Sequence, residues 1–226
     1  MSTEYGKIET LYERDPKTFS VIPGQFKSRV YSILKTWRWT EKIDGTNTRV
    51  IFTPEGIETD VNGPGYMEPS VKIGGRTDNA NMPADLVQNL LSVVTPEKMA
   101  ASFQSHVVLY GEGYGGNIQK GSGYSDTKKF ILFDVLVDDL WWLDYEQITD
   151  VGAKLGLDVV PDFGNMTLEE AAEEVRTGFS TKIKGASPLK QAEGLVGRPI
   201  ETMYDKRHHR IITKLKTKDF TGGKNV

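Results

Sequence analysis

The chain contains no cysteine, which excludes a disulfide framework and any cysteine-ligated zinc. Histidine is nearly as scarce, with three among 226 residues: His106 and the adjacent pair His208 and His209. Neighbours on a strand point to opposite faces, so that pair reads as part of a turn rather than as a metal site. No run approaches the roughly 18 apolar residues of a membrane span. The stretch from Met1 to Asp15 is polar and charged and carries no apolar core of signal-peptide length. These absences lead to the expectation of a soluble, cytoplasmic protein with no membrane partner. There is no Gly-x-x-x-x-Gly-Lys-Ser/Thr phosphate loop, which excludes an ATPase of that type. Repeats and low-complexity segments are lacking as well.

What is present suffices for a substantial core: 38% of the residues are apolar, and the expectation is a single domain over residues 1–226. The net charge of −3 is not that of an unspecific nucleic-acid coat. Its distribution is uneven. From Arg198 to Val226 there are eight Lys or Arg against three acids, whereas Glu169, Glu170, Glu173 and Glu174 cluster elsewhere. A basic C-terminal face suits phosphates, and solvated charges on strands and a hairpin suit the same composition.

Met1 to Thr36, punctuated by Pro16, Pro23 and Gly24, reads as a loop-rich beginning followed by a short helix near Lys27 to Lys35. Arg49 to Phe52 and Ile57 to Val61 flank Thr53-Pro54-Glu55-Gly56, a hairpin signal, and Asn62 to Gly65 follows as a loop. Helical spacing marks Ala84 to Leu91 and Pro96 to Phe103. Strands are expected from His106 to Tyr110 and from Phe130 to Val137, with Leu140 to Tyr145 pairing back after Asp138-Asp139. Tyr145 to Leu155 is a helix closed by Gly156, and Thr167-Leu168-Glu169-Glu170 is a capping box opening a helix to about Thr177. Lys182 to Lys190 reads as a loop, and Ile211 to Lys216 as the last strand. Strands with scattered helices indicate an α+β class.

The chemistry centres on Trp39-Thr40-Glu41-Lys42-Ile43-Asp44-Gly45-Thr46-Asn47, which sets one lysine where a strand enters a turn. Asp44-Gly45 is the turn signal, the glycine being read as a position for positive φ. A lysine amine becomes nucleophilic at neutral pH when desolvation or nearby cations lower its pKa. Lys-x-Asp-Gly alone is equally the signature of an ordinary surface lysine. Further on, Gly111-Glu112-Gly113-Tyr114-Gly115-Gly116 contains Gly-x-Gly-x-x-Gly, but Asn117 to Lys129 lacks the helix that a dinucleotide-binding unit needs for its pyrophosphate. In Ile211 to Lys216, a period of two sets Lys214 and Lys216 on one face, suited to phosphate binding or to protecting a sheet edge.

Taken in order, these segments resemble the covalent nucleotidyltransferases, the superfamily of polynucleotide ligases and messenger-RNA capping enzymes. Glu41 to Asn47 resembles the nucleophile motif. DNA ligases and capping enzymes usually follow its glycine with arginine, whereas phage-type RNA ligases that seal nicked duplex RNA carry asparagine five residues past the lysine, here Asn47. Gly111-Glu112-Gly113, Phe133-Asp134, Glu193-Gly194 and Lys214-Leu215-Lys216 resemble the later motifs. The resemblance implies an α+β nucleotidyltransferase (ATP-grasp-like ligase) domain, with antiparallel sheets flanked by helices around a nucleotide cleft. It implies ATP as the adenylyl donor, Mg²⁺ or Mn²⁺, and RNA with 5′-phosphate and 3′-hydroxyl ends as substrate. Lys42 takes the role of the nucleophile that carries AMP. Glu41 and Asn47 fix the nucleotide, Arg76 approaches the nucleotide or the RNA 5′-phosphate, and Phe133 stacks on adenine. Lys214 and Lys216 meet the triphosphate, and Glu112 and Glu193 hold the metal.

The chain ends ten residues past Lys216, so no C-terminal accessory module is expected, and a partner subunit in its place is an alternative. The rival readings are a capping-type guanylyltransferase or minimal DNA ligase on the same fold, and a nucleotide- or RNA-binding module without turnover.

Overall fold

A computed structural model describes residues 4–54, 68–119 and 123–220. The strand expected at Ile57 to Val61 and the loop after it lie outside the described residues. In chain order the first strands are β1 (Glu9–Thr10), β2 (Tyr12–Arg14), β3 (Val21–Phe26), β4 (Trp37–Lys42), β5 (Thr46–Thr53) and β6 (Ser70–Gly75). They are followed by β7 (Val107–Tyr114), β8 (Lys129–Val137), β9 (Trp141–Trp142), β10 (Asp158–Val159), β11 (Asp162–Met166), β12 (Gly194–Pro199) and β13 (Thr213–Lys216). The helices are α1 (Ala84–Val93), α2 (Pro96–Ser102), α3 (Tyr145–Leu155), α4 (Leu168–Thr177) and the single turn α5 (Thr217–Phe220). Near Lys27 to Lys35 there is only a 3-10 turn, Tyr31–Ile33. Val30 and Ile33 are β-branched and no side chain caps the turn, so nothing offsets the cost of nucleating a longer helix.

The chain forms two compact units interleaved in sequence, Met1–Tyr5 with Gly45–Val159 and Gly6–Asp44 with Val160–Val226. The first is built on a sheet of order β10-β8-β7-β5-β6, with β9 also paired to β8. Its β5–β7–β8 centre is antiparallel, and α1, α2 and α3 cover one face. Val50 and Phe52 of β5, Val107 and Leu109 of β7, and Leu132 and Val135 of β8 meet Leu86, Leu90, Met99, Ile148, Val151 and Leu155 there. A strict alternation would put Leu132 and Asp134 on the same face. A bulge between Tyr110 and Gly111 in the β7–β8 register resets it, pairing Tyr110 with Asp134 but Gly111 with Leu132. Phe133 is the extra residue, and Asp134 moves to the face opposite the helices.

The second unit is a five-stranded sheet of order β1-β13-β12-β4-β11, antiparallel except for β1 beside β13. On one face Trp37 and Trp39 of β4, Leu195 of β12 and Leu215 of β13 pack against Leu168, Ala171, Ala172 and Val175 of α4. Fully burying side chains of this size is worth about 1.5–3 kcal/mol each, so this layer fixes the register of β4, β12 and β13. The Thr167 capping box forms as expected, its hydroxyl accepting from the Glu170 amide. Gly197 lets the Trp39 ring lie flat on β12, since a Cβ there would sit 2.7 Å from the ring. No helix among the described residues is long and apolar enough to cross a membrane.

Candidate active site

With tryptophans 37 and 39 facing α4, the period of two turns Arg38, Thr40 and Lys42 to the opposite face of β4. Thr213 and Leu215 are buried, so Lys214 and Lys216 of β13 face the same way. The ladder then aligns two rows across the sheet. Lys42 pairs with Gly194 and Gly194 with Lys216, while Thr40 pairs with Val196 and Val196 with Lys214. Lysines from distant parts of the sequence thus share one face, one at the end of β4 and two on β13.

Glu193, immediately before β12, lies between two of these lysines. Its Oε2 accepts from Lys42 Nζ at 2.6 Å, and its Oε1 accepts from Lys216 Nζ. All three side chains are about one-fifth exposed or less. Burial pushes the Glu193 carboxyl up, but the ammonium charges of Lys42 and Lys216 outweigh it, and its pKa ends below the ordinary glutamate value. The pairing holds because β12 approaches β13 unusually closely. Gly194 adopts φ +153°, and a Cβ there would lie 1.9 Å from the Leu215 carbonyl oxygen and 2.8 Å from the Lys216 Cα. Any other residue would push β13, and Lys216 with it, away from Lys42.

Lys214 is different. Among the described residues its amine has no hydrogen-bond or ion-pair partner. Burial, followed by the charges of Lys216 and Lys42, lowers its pKa to about 8. Three lysines against one carboxylate leave this cluster with a surplus of two positive charges when all are ionised, a field suited to a polyphosphate.

Glu41 faces the other way. It is 2% exposed, and its carboxylate accepts from the Thr181 hydroxyl and, at 2.8 Å, from the Lys182 amide. Burial raises its pKa against those two bonds. Its side chain thus anchors the loop at Thr181 to β4, and it is not grouped with Lys42. Lys182 itself sits 3.6 Å over the centroid of the Phe163 ring.

The remaining expected site residues belong to the first unit. Asn47 and Glu112 are half-buried and directly paired across β5 and β7 on the face away from the helices, and the Asn47 Oδ1 is buried with no hydrogen-bond partner among the described residues. Gly45 does not adopt positive φ, contrary to the turn reading. It is a close-approach residue: a Cβ there would meet the Gly113 carbonyl oxygen at 2.2 Å and the Glu112 Cγ at 2.8 Å. Phe133 is half-buried, its ring edge-on to Tyr5 with centroids 5.2 Å apart. Arg76 is exposed in the loop after β6, where it makes no ion pair among the described residues.

Sequence reasoning missed Tyr5. Its hydroxyl donates to the fully buried Asp134 at 2.6 Å, and its ring also contacts Tyr110 and Trp142. The single acid in the most apolar strand is a visible signal that a partner must exist; a partner 129 residues away is not. Arg49, 1% exposed, pairs with Asp78 on the same face.

Among the described residues no three His, Cys, Asp or Glu side chains cluster as a metal site. A hard divalent ion such as Mg²⁺ commonly takes one or two carboxylates along with phosphate oxygens and water, so Glu193 and Glu112 are of suitable donor type.

Comparison with known proteins bears on the fold and the family. Several solved structures of variants of the Naegleria gruberi RNA ligase share the fold. One, with ATP and Mn, is 16% identical with a TM-score of 0.57, over 96% of this chain and 61% of that one. Another, with AMP and Mn, is 18% identical with a TM-score of 0.57, over 96% and 60%. A third, without ligand, gives 17%, 0.58, 98% and 62%. The chain spans about three-fifths of the length of these structures. No curated protein matches it. The model of the RNA ligase family matches residues 35–216, a span that begins just before β4 and ends on Lys216, and on that match the chain belongs to the RNA ligase family.

Proposed function

We propose that the protein is an ATP-dependent RNA ligase that works through a lysyl-AMP intermediate on Lys42, in a single adenylyltransferase domain over residues 1–226 and in the cytoplasm. The observation that carries this reading is the face of β4, β12 and β13 opposite α4, where a half-buried Lys214 without a partner among the described residues stands beside the Lys42–Glu193–Lys216 cluster. An unpaired cation held where burial disfavours its charge is offset by a bound anion.

In the first step the Lys42 nitrogen attacks the α-phosphorus of ATP. Lys42, an ammonium in its pair with Glu193, first gives one proton to solvent. The new N–P bond then replaces the bond to the bridging oxygen, pyrophosphate departs with that electron pair, and the nitrogen releases a second proton to solvent to leave the phosphoramide. Lys214 and Lys216 neutralise the charge that develops on the phosphate oxygens. Glu193 orients Lys42 before the reaction, and it would exchange one of its lysines for a metal where it held one. A bound Mg²⁺ or Mn²⁺ would supply Lewis-acid charge stabilisation at the phosphates, held by Glu193 and Glu112. In the first unit the proposal assigns Phe133 to stacking on adenine, Asn47 and Arg76 to nucleotide or 5′-phosphate contacts, and Glu112 to the ribose or metal. The Glu41 carboxylate acts through the loop it anchors. AMP then passes to an RNA 5′-phosphate, and a 3′-hydroxyl displaces it to seal the strand, by the chain alone or with a partner subunit.

Labelled ATP and GTP offered separately test the reading. The proposal expects a covalent, lysine-linked label from ATP alone. A label from GTP alone would make the protein a guanylyltransferase, and no label from either would make it a binding module.

A further inference from the structure

Residues 200–212, between β12 and β13, fold back on themselves as a hairpin. Tyr204 and Arg210 form an isolated antiparallel pair, Ile211 N donates to Met203 O at 2.8 Å, and Asp205 N donates to His209 O at 2.8 Å. His208 takes the left-handed conformation, φ +60°, that closes the turn. Of the two acids in residues 200–212, Glu201 is exposed and Asp205 is committed internally. Asp205 Oδ1 accepts from the Arg207 and His209 amides at 2.8 and 2.9 Å. Lys206 and Arg207 are left exposed at the tip, while Ile200, Met203 and Tyr204 are 53%, 40% and 46% exposed beside them. This basic and aromatic projection stands on a chain whose net charge is −3.

The hairpin connects the two strands that carry Glu193's neighbour Gly194 and the two lysines of β13. Arg198 shares the alternation of Gly194 and Val196, so it lies on the side of Lys214 and Lys216, and the hairpin follows one residue later. From the Lys42–Gly194–Lys216 row to the Gly197–Thr213 pair is three residues, about 10 Å of strand. Cations therefore lie both on the face of β12 and β13, at Lys214 and Arg198, and at the tip of the hairpin that joins these two strands, at Lys206 and Arg207. Cations that track a backbone, combined with an exposed ring that accepts any base, are the recognition elements of single-stranded nucleic acid. Three apolar side chains beside charged ones are too little to hold a lipid surface.

Resting on the ligase reading above, we propose that this hairpin is the RNA-docking finger of the protein: Lys206 and Arg207 hold phosphates of a single-stranded segment near the end being joined, and Tyr204 stacks on one of its bases.

The test is fluorescence anisotropy with a 5′-phosphorylated single-stranded RNA oligonucleotide across a salt series, with labelling of the protein by ATP measured in parallel. The Lys206→Ala/Arg207→Ala double variant should lower the slope of log affinity against log salt by about 1.4, at ~0.7 for each phosphate no longer neutralised. Tyr204→Ala should weaken binding about ten-fold, and the Lys206→Arg/Arg207→Lys exchange should bind as the wild type does. Labelling by ATP should be the same in all. Wild-type affinity and salt slope in the alanine variants overturn the proposal, as does loss of RNA binding together with loss of labelling, which would mean that the hairpin serves the fold. If the wild type is never labelled yet RNA binding depends on the hairpin, the ligase reading fails and the docking finger stands.

Discussion

Replacing Glu193 by glutamine keeps the shape of the side chain and removes one charge from between two lysines. In the native protein Lys42 and Lys216 are each paired to that carboxylate, at 2.6 Å for Lys42, and the three side chains are between 15% and 21% exposed. Two such attractions are each worth about 4 kcal/mol before desolvation, at an effective dielectric near 20. Their loss leaves two neighbouring ammonium groups without the carboxylate between them, and their mutual repulsion adds to the cost. The desolvation of Glu193, relieved in the variant, offsets much of this sum. Breaking a buried pair costs about 3–5 kcal/mol, and partial exposure brings the expectation for Glu193→Gln to about 2 kcal/mol. For a protein of this size that is a fall in melting temperature of about 4–8 °C. Differential scanning fluorimetry measures it, and a second arm gives the reason. Tripolyphosphate should stabilise the variant more than the wild type, because the anion replaces the missing carboxylate between the lysines. A variant that melts with the wild type and gains no more from tripolyphosphate would refute the electrostatic account of this cluster.

Two further outcomes follow from the same face. Gly194→Ala should reduce labelling by ATP severely and lower stability, since its Cβ would collide with the Leu215 carbonyl; normal labelling of the purified variant would show that the close approach of β12 and β13 is not needed. The affinity of an ATP analogue with a non-hydrolysable α,β linkage, measured by calorimetry on the protein with Lys42 intact, should fall as pH rises from 7 to 9, because Lys214 loses its proton near pH 8, and Lys214→Arg should flatten that dependence. The sign for stability is the opposite. The folded pKa lies below the ~10.4 of a free lysine, so between about pH 8 and 10.4 the unfolded chain binds the extra proton and this group's contribution to stability rises with pH. Lys214→Met should remove that rise.

Local chemistry makes some of the fold legible. The helices α3 and α4 are readable to the residue, because Gly156 and the Thr167 capping box are signals carried by adjacent residues. The placing of Lys214 and Lys216 on one face follows from the period of a strand alone. What cannot be read depends on distant partners. The parallel pairing of β1 with β13 joins residues 204 apart, and the alignment of Lys42, Gly194 and Lys216 needs the tryptophan layer against α4 to set the register. The same layer turns Glu41 inward, although it sits next to Lys42 in sequence, and only the structure shows Thr181 waiting for it. Periodicity presents Phe133 as one side of a regular strand, whereas the bulge opposite Tyr110 makes it the extra residue. Gly45 misleads for a related reason: the sequence shows that a side chain is absent there but not that the backbone of Gly113 fills the space.

The central claim is that the amine of Lys42 forms a bond to phosphorus. Intact-protein mass spectrometry after incubation with ATP and magnesium, followed by peptide mapping, tests it most directly. The account predicts a single AMP added to the wild type, located on Lys42 and absent from Lys42→Ala. An AMP adduct that persists in Lys42→Ala, or that maps to another residue, would contradict it.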